Sequence, residues 1–141
     1  MENRYPLLAA HYVNRADHFF HAMNLLVDDL QAYGSSVGLL AVHSAISLND
    51  AVIAGATGTR SKREDHMTAA DDLQRICSNI KLTDTQGLSH LRWLLSKKTL
   101  IAYGNQRVTE TDLKLAVTKA RRFSDWAYRN FKEMLRDQEA E

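Results

Sequence analysis

Between Leu88 and Arg107 the chain reads LSHLRWLLSKKTLIAYGNQR, and apolar side chains return along it at the spacing of one helical face. Leu88, Leu91, Leu95, Lys98 and Ala102 are separated by 3, 4, 3 and 4 positions, and Leu94 and Ile101 widen the stripe. Such a stripe must be covered by other helices. Lys98 stands at a core position within it, so a cation is built into an apolar face. Tyr103 falls in the final turn before Gly104, whose ease in left-handed backbone suits a helix stop.

The same spacing recurs elsewhere. Pro6 suits a first helical turn, and Tyr12, Ala16, Phe19, Met23, Leu26, Leu30 and Tyr33 then alternate steps of 4 and 3, which predicts a long first helix ending near Gly34. Ser35 or Ser36 can cap a second helix, whose small-residue face of Ala41, Ala45, Leu48 and Val52 predicts tight central packing before Gly55 and Gly58 break it. Ser61 and Glu64 form a capping box for a third helix through Met67, Ala70, Leu73, Ile76 and Cys77, stopping by Lys81. Thr109 and Asp112 open a fifth, with Leu113, Ala116, Ala120, Phe123, Ala127, Phe131 and Met134 on one face. No strand-like alternation, repeat or linker interrupts the series. The expectation is one all-α domain over residues 1–141, an antiparallel helical bundle of about five helices.

With 1 proline, 6 glycines and 45% apolar residues, the composition is that of an ordered protein with few turns. Cys77 is the lone cysteine, which excludes an intrachain disulfide and fits a reducing compartment. No apolar run approaches the roughly 18 to 20 residues of a bilayer span, so a cytoplasmic protein without membrane contact is expected. The formal charge of +1 is unevenly spread. Residues 92–136 hold 11 Lys/Arg against 4 Asp/Glu, a net of +7, leaving 7 against 13, a net of −6, for the remainder. A basic half of this kind either draws a polyanion or forms the solvated side of two helices.

Polar chemistry concentrates in two places. In GATGTRSKREDH, Arg60, Lys62 and Arg63 stand at a helix start, where free N–H groups favour an anion; on spacing alone an exposed basic loop kept soluble by its charge is the stronger reading. Asp65 and His66 follow, and Asp50 shares a face of the second helix with Ser47 and His43; hydrogen-bonded structural pairs are the alternative for these groups. The second place is Lys98 and Tyr103, flanked by Lys97 and Arg107. His18 and His21 have a metal-binding interval but no accompanying carboxylate pattern, so neither a metal nor a cofactor is expected. Trp93, Phe123, Trp126 and Phe131 fit a core or a dimer interface better than a base-stacking platform. Phosphate-loop, nucleophile-elbow and H-E-x-x-H signatures are absent.

The segments AISLNDAVIAG, GTRSKREDH and LLSKKTLIAYGNQRVTETDLKLAVTKARRFSDWA, in that order, resemble the HEPN superfamily of small helical bundles, in a bacterial branch with a Lys-x4-Tyr element. The resemblance covers approximately Leu39 to Ala127. It implies a homodimer associated with RNA or nucleotides, of toxin or defence type, and, in active members, metal-independent ribonuclease chemistry through Arg-x4-6-His. Here Lys98 stands where the arginine is expected and Tyr103 where the histidine is expected. Lysine keeps the cation but loses the bidentate fork, and a phenol with a reference pKa near 10 is a poor general base at neutral pH. The implied catalytic pair is Lys98 and Tyr103, with Asp50, Arg60, Lys62, Arg63, Asp65, His66, Lys97 and Arg107 as ligand- or phosphate-binding candidates. The competing expectation is a non-catalytic protein-interaction module, in which Lys98 pairs with Asp50 or Asp65 inside the bundle.

Overall fold

The computed structural model describes residues 5–59, 66–103 and 108–135, with the backbone alone described at 5–7, 66–67 and 103. Five helices make up an all-α bundle: α1 Tyr5–Leu26, α2 Leu30–Thr57, α3 His66–Asn79, α4 Gln86–Tyr103 and α5 Glu110–Asn130. Their facing stripes bury Met23, Val52, Leu73, Leu91, Phe123 and Trp126, among others, in one core. Each such side chain stabilises the fold by about 1.5–3 kcal/mol relative to exposure.

The first helix is shorter than its periodicity predicts. It stops at Leu26, and Asp29 starts α2 by accepting a hydrogen bond from the Ala32 N–H at 3.1 Å. Gly34 is therefore inside α2, and Ser35 and Ser36 are exposed helix residues rather than caps. What remains of the expected break is a kink at Tyr33, where φ is −122° and ψ is 15°. Gly34 and Gly38 serve packing: a Cβ on Gly34 would lie 2.7 Å from Leu113 Cδ1, and one on Gly38 3.0 Å from both Ile101 and Leu113. Gly55 is helical too, its missing side chain leaving room for the Met134 backbone, while Gly58 caps the helix with φ 78° and donates its N–H to the Ala54 carbonyl.

Joined across the kink, α2 is 28 residues long with a mean hydropathy of 1.6 in its most apolar window. It is long and apolar enough to cross a membrane, contrary to the expectation that no stretch approaches that length, although 78% of that window is buried inside the bundle. The expectation overlooked it because His43, Ser47, Asn49 and Asp50 interrupt the apolar residues of this helix.

The α3 exit follows a Schellman pattern, with Leu82 N–H to the Cys77 carbonyl at 2.9 Å and Lys81 N–H to the Ser78 carbonyl at 3.1 Å. Lys81 occupies the left-handed position at φ 57°, where glycine would cost less. At the start of α5 the Thr109 hydroxyl accepts the Asp112 N–H at 3.0 Å, as the sequence predicts. The helix ends at Asn130, so Phe131 and Met134 reach the core from a turn rather than from a continuation of the helix.

Contacts along the helices fix their directions. α4 runs antiparallel to α5, with Gly87 against Trp126 at one end and Ile101 and Leu113 meeting over Gly38 at the other. α1 is antiparallel to α5: Arg121 donates to Asn24 at 2.8 Å and the Tyr128 hydroxyl to Asp17 at 3.2 Å. α2 and α5 lie side by side in the same direction, touching at Gly34–Leu113 and Gly55–Met134.

Two predictions follow from these contacts. A Cβ on Gly87 would overlap the Trp126 indole, which is itself pinned by its Nε1–H to the Asp84 carbonyl at 2.8 Å. Gly87→Ala is expected to lower unfolding free energy in urea by about 1–3 kcal/mol or more, as overpacking does. Tyr128 is pushed up to about 12 by burial, then by the Asp17 charge and the hydrogen bond to Asp17. Its folded pKa exceeds its unfolded value, so its contribution is complete below pH 10 and is lost as pH rises toward about 12. Wild type should lose stability more steeply than Tyr128→Phe across that window, and equal slopes would refute the assignment.

Candidate anion site on α4

At about 100° per residue, Leu88, Leu91, Leu94, Leu95 and Ile101 cover one arc of α4, all of them buried. Lys98 falls in the middle of that arc, yet it is only half-buried. The core position assigned from spacing is corrected accordingly: the bundle stays open to solvent at the one level of the stripe where α4 carries a charge. An aliphatic stem on apolar neighbours with a hydrated head is the normal arrangement for lysine.

Lys98 does not pair with Asp50. No salt bridge or hydrogen bond joins them among the described residues, and Lys98 makes none to any other described residue. The reason is register. Ile101 meets Gly38, so in the antiparallel α2–α4 pair Lys98, three residues earlier, is level with about Ala41, nine residues short of Asp50 and about 14 Å from it along the axis at 1.5 Å per residue. Asp50 is half-buried and engaged in an interaction of its own. Its expected face-mates differ in burial, Ser47 being closed off and His43 half-buried beside Phe19, with ring centroids 5.7 Å apart.

Lys97 faces away from the core, its ammonium 5.7 Å from the centroid of the Trp93 ring. That cation–π contact holds it on the flank of α4 rather than beside Lys98. Tyr103 ends α4 and His66 begins α3, but their side chains lie outside the described residues, as do Arg60, Lys62, Arg63, Asp65 and Arg107. Lys98 is thus the described centre of the expected set, with Lys97 one residue away and Asp50 remote.

Two features had no signal in the sequence. One is an open concavity of about 1010 Å³ at the α1–α2 corner, lined among others by Asp28, Asp29, Tyr33, Leu100, Glu110 and Lys114. Three carboxylates against one ammonium make this hollow unsuitable for a phosphate. It forms because the chain breaks at Leu26, which the apolar stripe running on through Leu30 and Tyr33 conceals. The other is Asn49, buried on α2 with its Oδ1 lacking a hydrogen-bond partner among the described residues. An asparagine at a core position is visible in sequence; its missing partner is not.

Cys77 is buried, and desolvation raises its thiol pKa against the smaller opposing effect of a backbone hydrogen bond. A thiol in that environment is not a nucleophile at neutral pH. Among the described residues no group of three or more His, Cys, Asp or Glu is placed to hold a metal ion. Compared with protein-family models, curated proteins and solved structures, the chain matches none.

The ion-pair alternative for Lys98 has a direct test. Removing one partner of a buried pair costs about 3–5 kcal/mol, whereas removing an unpaired half-buried ammonium costs little. Lys98→Met is expected to leave the urea midpoint unchanged or to raise it, and a loss on the buried-pair scale would contradict the geometry.

Proposed function

We propose that this chain is an HEPN-like RNA- or nucleotide-binding protein of the cytoplasm, acting as a homodimer and holding a phosphate group with Lys98. The observation that carries the reading is the position of Lys98: central in the apolar arc of α4, reachable by solvent, and without an ion-pair partner among the described residues. A charge kept half-desolvated interacts more strongly with an incoming phosphate than one fully in water. The excess of 11 Lys/Arg over 4 Asp/Glu between residues 92 and 136 adds a field that attracts polyanions. Tyr103, five residues on, is assigned as a hydrogen-bond donor to the same group, and Arg60, Lys62, Arg63 and Arg107 as further phosphate contacts. This reading favours binding over cleavage, because a phenol supplies little general base at neutral pH.

A second reading, a protein-interaction module, draws on Leu25 at 80% exposure and Tyr33 at 47%, both near the α1–α2 corner. The two readings separate in one experiment. Binding of a short single-stranded RNA should weaken linearly with log salt, and Lys98→Ala should reduce both the affinity and the slope by about one phosphate contact. No affinity at low salt, or an unchanged slope in Lys98→Ala, would rule out the phosphate reading. Incubation in EDTA extends the test: 2′,3′-cyclic phosphate ends lost in Tyr103→Phe would add ribonuclease activity to the binding role.

A further inference from the structure

The flank of α4 that faces α5 carries a second set of nitrogen groups, separate from Lys98. Eight residues and most of a quarter-turn divide His90 from Lys98, about 12 Å along the axis. The seam at this level is fixed on one side by Gly87 against Trp126 and by Arg129 with Asp84 at 3.4 Å. The next groups along it are His90 on α4 and Arg122 and Lys119 on α5, close enough for both cations to act on the imidazole. Trp93 and the Lys97 ammonium continue the same flank.

Three neighbouring cations on these helices are answered, whereas Lys119 and Arg122, like Lys98, are not. Arg92 pairs with Asp71 at 2.9 Å and donates to Gln74, Arg121 donates to Asn24, and Arg129 pairs with Asp84. Lys119 and Arg122 form no ion pair or hydrogen bond with another described residue. His90 Nδ1 is closed off from solvent and has no hydrogen-bond partner among the described residues. Burial is the larger cause holding the imidazole pKa below its usual value, followed by Lys119 and Arg122, and no carboxylate is among the charges that act on it. Two unanswered cations beside a half-buried imidazole form a site that an anion with several acceptor oxygens would complete.

We propose that His90, Lys119 and Arg122 form a second anion site across the α4–α5 seam, fitted to a phosphate monoester or a polyphosphate chain. Arg122 supplies a planar fork for two oxygens, Lys119 a compact point charge, and His90 an N–H donor once the anion offsets the neighbouring cations. The site is independent of the phosphate role assigned to Lys98.

Sodium tripolyphosphate at low ionic strength is the probe, read by calorimetry and by the NMR titration of His90, with His90→Gln giving the resonance assignment. Wild type should bind with a His90 titration displaced to higher pH, because the anion favours the imidazolium. Lys119→Gln/Arg122→Gln changes two side chains at the surface rather than in the core and should bind at least about tenfold more weakly, while Lys81→Gln, exposed on the α3 exit, should stay within about twofold of wild type. The proposal is overturned by undiminished binding in the double variant, by a His90 titration that saturating tripolyphosphate does not move, or by the absence of binding at low salt.

Discussion

The approach of α4 to α5 at Gly87 sets the geometry on which both proposed sites depend. Trp126 lies on the glycine with no room for a Cβ, donates its indole N–H to the Asp84 carbonyl, and stacks edge-on against Phe131 with ring centroids 5.2 Å apart. Because the indole is held at both its face and its nitrogen, the rotation of α4 about its own axis is fixed. That rotation turns Leu91 and Leu94 inward, leaves Lys98 within the buried arc, and aims His90 at the α5 cations. A small slip at Gly87 would move every charged group on the helix.

The bundle separates its charges by helix face. On the α1 side of α5, Arg121 and Tyr128 are satisfied by Asn24 and Asp17; near the α3–α4 connection, Arg129 is satisfied by Asp84. Cations between these anchored points lack such partners among the described residues. Surface pairs stabilise a fold by only about 0–1 kcal/mol, so unpaired cations cost little stability and keep their charge available to a ligand. The uneven charge of the sequence therefore becomes, in the folded chain, a small number of specific unanswered groups rather than a uniform basic surface.

Helix existence was legible because apolar spacing is a local property: the faces of α3, α4 and α5 and the Thr109 cap lie where the residues indicate. The α1–α2 boundary was misread because Gly34 looks like a stop in one dimension, whereas its lack of a side chain answers Leu113 from a helix far away in sequence. Gly38, Gly55 and Gly87 have the same tertiary origin, as each fits a partner that no local pattern names. Lys98 was found by its position in the stripe, but its half-burial reflects how the bundle closes around that level. Pairing with Asp50 depended on register along α2, which the intervals within each helix do not specify. His90, Lys119 and Arg122 belong to two separate stretches and become one cluster only through the antiparallel α4–α5 packing.

The central claim is that Lys98 is a solvent-reachable cation that a nucleic-acid phosphate covers. Reductive methylation of lysines in the folded protein, resolved by residue in a mass spectrometer, addresses it directly. Lys98 should be modified readily in the free protein and protected when a short single-stranded RNA is bound at low salt, while exposed Lys81 on the α3 exit should react alike in both states. A Lys98 that resists modification in the free protein, or that reacts equally fast with RNA bound, would contradict the account.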